Sequence, residues 1–135
     1  PADTSMPPYL IHAVLMAGAL LLMASGVLVA MRLRKERWWF KTHRRLGLLG
    51  AGTLLLGGAT AVLMVARASG EHLQGPHAWL GLATILAGIV TACLGWLQFR
   101  IKKRPIRIIH HWAGRAVVLM QAAAIALGLR LIGIL

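Results

Sequence analysis

Residues 9–31 read YLIHAVLMAGALLLMASGVLVAM, 23 consecutive positions without an Asp, Glu, Lys or Arg. At 1.5 Å per residue, a helix of about 20 residues crosses the roughly 30 Å hydrocarbon layer of a bilayer. Three more apolar blocks follow, at about 46–66, 77–97 and 110–131, and the four spans with their short connections occupy the chain. The 135-residue sequence is 59% apolar and 13% charged, with mean hydropathy +0.73. An ordinary soluble domain carries about 25% charged residues. This composition excludes a soluble enzyme and a disordered tail, and one cysteine, Cys93, cannot form an internal bridge. The expected fold is an all-α membrane protein, an antiparallel four-helix transmembrane bundle forming a single domain over residues 1–135. The polar residues before Tyr9 and the length of the first block argue for a spanning helix rather than a signal peptide. Pro1 in place of an initiator Met leads us to expect processing or trimming upstream.

The net charge is +12, which in a soluble chain would point to nucleic acid. The distribution of the charges points elsewhere. Thirteen of the 15 basic residues cluster around two gaps: Arg32 to Arg45 between the first and second blocks, and Arg100 to Arg115 around the gap between the third and fourth. Arg67 and Arg130 lie near the opposite membrane face. Short loops rich in Lys and Arg remain cytoplasmic. The charge is therefore a topology signal, with no nucleic acid implied and both termini on the non-cytoplasmic side. The expected location is a bacterial inner membrane, with lipid as the surroundings. Trp38, Trp39, Phe40, Trp79, Trp96, Phe99 and Trp112 fall near span ends, where an interfacial aromatic belt is expected.

Histidines carry the chemistry. Four of six open the four spans: His12, His43, His77 and His110. Three begin a common pattern, His43-Arg-Arg-Leu-Gly47, His77-Ala-Trp-Leu-Gly81 and His110-His-Trp-Ala-Gly114, while the first span has His12-Ala-Val-Leu-Met16. Residues i and i+4 share a helix face, so Gly47, Gly81 and Gly114 clear space beside their histidines. A flat macrocycle needs that clearance and a small ion does not. The same faces remain small at greater depth, with Gly50 and Gly57, Thr84 and Gly88, and Val117, Gln121 and Ala124. Successive spans run antiparallel, so His12 can meet His77 at the outer face and His43 can meet His110 at the cytoplasmic face. Such pairs suit bis-histidine ligation of haem iron between helices. Without a Cys-x-x-Cys-His motif the cofactors would be two b-type haems. His110 is favoured over His111 as ligand, because Gly114 stands to His110 as Gly47 and Gly81 stand to theirs.

These motifs, one per helix and in order, resemble the cytochrome b561 family in its four-helix core form, over nearly the whole chain. The resemblance implies two haems stacked across the membrane, ligated by the first helix with the third and the second with the fourth. It leaves the electron donor as ascorbate, a quinol or a partner protein or subunit, and the enzyme class open between a cytochrome and an oxidoreductase subunit. Arg45 and Arg115 inside, and Arg67 and Arg130 outside, are candidate partners of haem propionates, since the guanidinium fork matches a carboxylate. Gln121 either sits between the haems or bonds a neighbouring helix. His72 is expected to be solvated, and Cys93 to be a small packing residue. The acids Asp3, Glu36 and Glu71 supply no hydrolytic pair.

The function read from this pattern is transmembrane electron transfer. The helix from His12 to Met31 rises about 28 Å, which sets two irons about 20 Å apart, with porphyrin edges close enough for direct tunnelling. The rival readings are a quinone-reactive di-haem anchor of a respiratory dehydrogenase and a non-haem metal-ion transporter; the lack of membrane-embedded carboxylates weighs against the second. The division of basic residues makes one direct prediction. A reporter fused at Leu135 is expected to be active outside the cytoplasm, and a cytoplasmic signal there overturns the topology.

Overall fold

A computed structural model of the protein describes residues 7–135; the polar lead before Pro7 lies outside the described residues. It consists of four helices, α1 (Pro8–Arg32), α2 (Trp39–Ala68), α3 (Gly75–Ile101) and α4 (Arg104–Leu131), with no strand among the described residues. All four are long and apolar enough to cross a membrane. The chain is an integral membrane protein.

Local chemistry sets the helix ends. Pro8, Pro76 and Pro105 stand in the first turns of α1, α3 and α4, where a missing N–H costs nothing. Each helix closes on an arginine, Arg32, Arg67, Arg100 and Arg130, placing a cation at the negative end of its dipole. Gly70 (φ +72°) and Gly133 (φ +73°) take the left-handed backbone that stops α2 and α4. The helices α2 and α4 start at Trp39 and Arg104, ahead of the spans expected at 46 and 110. The added turns carry Lys41, Arg44 and Arg45, and Arg104 and Arg107, so they extend the helix from hydrocarbon into the interface, where long cationic side chains reach water.

Burial follows one register. Counted from the histidine that opens each span, the positions i+7, i+11 and i+14 are Ala19, Met23 and Gly26 in α1, and Gly50, Leu54 and Gly57 in α2. In α3 they are Thr84, Gly88 and Thr91, and in α4 Val117, Gln121 and Ala124. All twelve are buried. The opposite faces carry exposed Leu21, Leu56, Leu86 and Leu119, as expected of surfaces that meet lipid. Thr84 and Thr91 satisfy their buried hydroxyls by donating to the carbonyls of Leu80 and Ala87, one turn back.

The helices assemble as two hairpins. α1 packs most extensively on α2 and α3 on α4, with thinner seams between α1 and α4 and between α2 and α3. On the diagonals, α1 to α3 and α2 to α4, no described Cα pair comes within 8 Å. Of the two expected positions for Gln121, the structure has it bonding a neighbouring helix. Its Nε2 donates to the Met16 carbonyl of α1 at 3.1 Å, and its Oε1 is buried without a partner among the described residues. Cys93 is exposed rather than packed in the core, at the edge of an apolar groove of about 160 Å³ between α2 and α3 beside Leu54 and Gly88.

Small residues set the closeness of the first hairpin. A Cβ at Gly50 would stand 2.5 Å from Met23 Cγ and 3.2 Å from the Met23 amide nitrogen, and one at Gly57 would stand 2.7 Å from Met16 Sδ. The backbone nitrogen cannot swing aside as a side chain can. Gly50→Val should therefore destabilise the bundle by about 1–3 kcal/mol through overpacking. Thermal unfolding in detergent measures this, and an unchanged midpoint would show that α1 and α2 do not approach so closely.

Candidate functional site

The antiparallel hairpins bring the four span-opening histidines together in two pairs, at opposite ends of the bundle. His12 of α1 and His77 of α3 have ring centres 6.2 Å apart with planes at 86°. His43 of α2 and His110 of α4 are 6.1 Å apart with planes at 81°. These pairs bridge the diagonals that the backbones leave open. All four rings are half-buried.

Each imidazole is fixed through Nδ1 by a backbone carbonyl. His12 bonds Gly57 O at 2.8 Å, His43 bonds Gly26 O at 2.8 Å, His77 bonds Ala124 O at 2.8 Å and His110 bonds Thr91 O at 3.0 Å. A carbonyl only accepts, so the neutral ring carries its proton on Nδ1 and keeps the Nε2 lone pair free. All four bonds stay within a hairpin and are reciprocal. α1 donates to α2 and α2 to α1; α3 donates to α4 and α4 to α3. In every case the acceptor is the i+14 position of its own helix's histidine: Gly26 from His12, Gly57 from His43, Thr91 from His77 and Ala124 from His110. That span of helix rises about 21 Å, which separates the two histidine levels by that depth.

Sequence reading singled out the histidines but not these acceptors, since a carbonyl has no side-chain signature. The recoverable signal was the shared i+14 register. Trp39 was also missed as a site residue. Grouped with the interfacial belt, it packs inward, with its ring 6.3 Å from that of His43 and the Arg34 guanidinium 5.9 Å from its centre. Its place one turn before His43 puts it on the same helix face.

The glycines differ in their surroundings. A Cβ on Gly47 or Gly81 would meet nothing within 4 Å, and one on Gly114 only Thr91 Cγ2 and Val27 Cγ2 at 3.9 Å. Open space therefore adjoins His43 and His77. Met16, the counterpart beside His12, is buried. His111 lies apart from the pairs in role: the Arg34 guanidinium donates to its Nε2 at 3.1 Å. His72 is exposed between α2 and α3.

Among the arginines, Arg115 is half-buried with its guanidinium 4.9 Å from the centre of the Trp112 ring. Arg45 is exposed and lines an outward crevice with Lys41, Arg44 and Leu48. Placed at i+2 from His43, it lies about 200° around the helix from the face that carries that histidine. Arg67 and Arg130 are exposed in the last turns of α2 and α4.

No group of three or more His, Cys, Asp or Glu able to hold an ion gathers among the described residues. A protein-only zinc site takes three or four such ligands. Paired imidazoles with free Nε2 atoms instead fit a metal whose remaining positions are filled by a macrocycle, as in haem.

A family model described as eukaryotic cytochrome b561 matches residues 11–133, a stretch that includes all four helices' histidines. The chain belongs to the cytochrome b561 family. Membership carries haem b binding and electron transfer in a membrane. No curated protein sequence and no solved structure matches the chain.

Proposed function

We propose that this cytochrome b561 family member carries electrons across the membrane through two b-type haems, one held by His12 and His77 and the other by His43 and His110. The observation that carries this reading is the geometry of the two imidazole pairs. Two imidazoles that would hold one metal between them through Nε2, at the roughly 2 Å of a metal–nitrogen bond, need ring centres about 6 Å apart, and the pairs stand at 6.2 and 6.1 Å. The Nδ1–H bonds to Gly57, Gly26, Ala124 and Thr91 fix the tautomer that coordination needs and orient the rings before binding.

Bound haem supplies one-electron chemistry through its iron. The chain positions it. Gly47 and Gly81 leave room for a flat group beside His43 and His77, while Gly114 faces Thr91 and Val27. The buried register between the two levels excludes water from the path. Arg115 is the cation we assign to a propionate at the basic end, and Arg67 or Arg130 at the other. We read Arg45, which faces outward, as a topology and lipid-facing charge. The connections between helices are short, so a donor and an acceptor, whether partner subunits or diffusible carriers such as a quinol or ascorbate, must reach the helix ends. The His12 and His77 end is assigned to the non-cytoplasmic side by the basic loops at the opposite end.

A pyridine haemochrome assay on purified protein should give two haems per chain, and one or none overturns the reading. His12→Ala and His77→Ala should each remove the same haem and spare the other; loss of different haems contradicts the pairing. The adjacent histidines allow a sharper test. His110→Ala should lose the inner haem. His111→Ala should retain it, because the His111 ring is engaged by Arg34 rather than by a facing imidazole. The reverse result assigns ligation to His111.

A further inference from the structure

Each carbonyl that fixes an imidazole already accepts a helix bond from the amide one turn on, at j+4. The incoming ring must therefore pass beside residue j+4 when it reaches the carbonyl of residue j. Helical Cβ atoms tilt toward the N-terminus, so any side chain at j+4 leans over the ring's approach. For acceptors Gly26, Gly57, Thr91 and Ala124 these positions are Ala30, Ala61, Gly95 and Gly128. All four are small, and all four share the i+18 position relative to the histidine of their own helix.

The two hairpins differ in how tightly this space is closed. In α3 and α4 the rings rest on bare backbone. A Cβ at Gly95 would lie 2.9 Å from His110 Cε1, 3.4 Å from its Nδ1 and 3.6 Å from its Nε2. A Cβ at Gly128 would lie 3.0 Å from His77 Cε1, 3.3 Å from its Nδ1 and 3.6 Å from its Nε2. The rings cannot retreat without stretching the bonds to Thr91 and Ala124. In α1 and α2 the same register already carries the methyl groups of Ala30 and Ala61.

We infer that Gly95 and Gly128 are positioning residues, each providing the backbone recess that seats one of the paired histidines, Gly95 for His110 and Gly128 for His77. This rests on the proposed bis-histidine ligation. A glycine offers no side-chain ligand. Each acts by setting where its imidazole stands and how its plane is turned, so a methyl at either place pushes one ring toward its facing partner or rotates it about the Nδ1 bond.

The test is selective loss. Gly128→Ala should perturb the haem held by His12 and His77 and spare the other; Gly95→Ala should do the converse. Alanine is the better helix former, so a loss cannot be assigned to a weakened helix, and the spared haem reports that the bundle has folded. The readouts are haem per chain, where about half is expected to be lost, and, for any retained haem, the low-spin electron paramagnetic resonance signal and midpoint potential of one centre only. Gly52→Ala, exposed and with nothing near its Cβ, is the control expected to match wild type. If wild type holds two haems and both variants match it, the inference fails while the ligation stands. Equal damage to both haems in either variant also overturns it. A wild-type protein without haem refutes the underlying reading instead.

Discussion

Four Nδ1–H bonds to backbone carbonyls govern this bundle, because each fixes three things together. It joins the two helices of a hairpin, it sets their register, and it decides which nitrogen of the ring remains available. In an apolar medium an unmet N–H is costly and water cannot replace the partner, so a half-buried histidine must find an acceptor along the neighbouring helix. Because every acceptor stands at i+14, sliding one helix by a turn would strip both histidines of a hairpin together. Measured membrane hydrogen bonds average only about 0.6 kcal/mol, so these bonds specify register more than they add stability.

The glycines and small residues allow that register to exist. Gly50 and Gly57 bring α1 close enough to α2 for His43 to reach Gly26 O and His12 to reach Gly57 O. Without a hydrophobic force between helices in lipid, close backbone packing supplies the association. The same sequence feature serves two ends. Small residues within the hairpin draw helices together, whereas Gly47 and Gly81 adjoin open space.

Much of this was legible in the residues. Span number and order followed from uninterrupted apolar runs of bilayer length, and antiparallel connectivity placed His12 with His77 and His43 with His110 at shared ends. Helix ends were less legible, since α2 and α4 run through Lys41 to Arg45 and Arg104 to Arg107, which hydropathy counts as loop and the interface tolerates as helix. Trp39 and Gln121 could be placed by depth but not by partner, because periodicity gives a face and not the atom it meets. The carbonyl acceptors carried no side-chain signal beyond their shared i+14 register. Every residue has a carbonyl, and only a fixed distance between helices selects Gly26, Gly57, Thr91 and Ala124.

The division of labour between the hairpins bears on assembly. Every histidine–carbonyl bond lies inside a hairpin, whereas each facing imidazole pair takes one ring from each. Between hairpins the protein's own polar links among the described residues are Gln121 Nε2 to Met16 O and Arg34 to His111. The first leaves Oε1 unpaired. Under the proposed ligation, coordination through His12 with His77 and His43 with His110 would add two cross-braces, one at each end, where the backbones do not meet. A ligand that binds only the assembled arrangement stabilises it by mass action. On that reading the hairpins would preform the ligands, and occupancy would fix how the hairpins sit against each other. Each hairpin sets its two histidine levels about 21 Å apart by itself, and under the proposed ligation occupancy would lock the levels of one hairpin to those of the other.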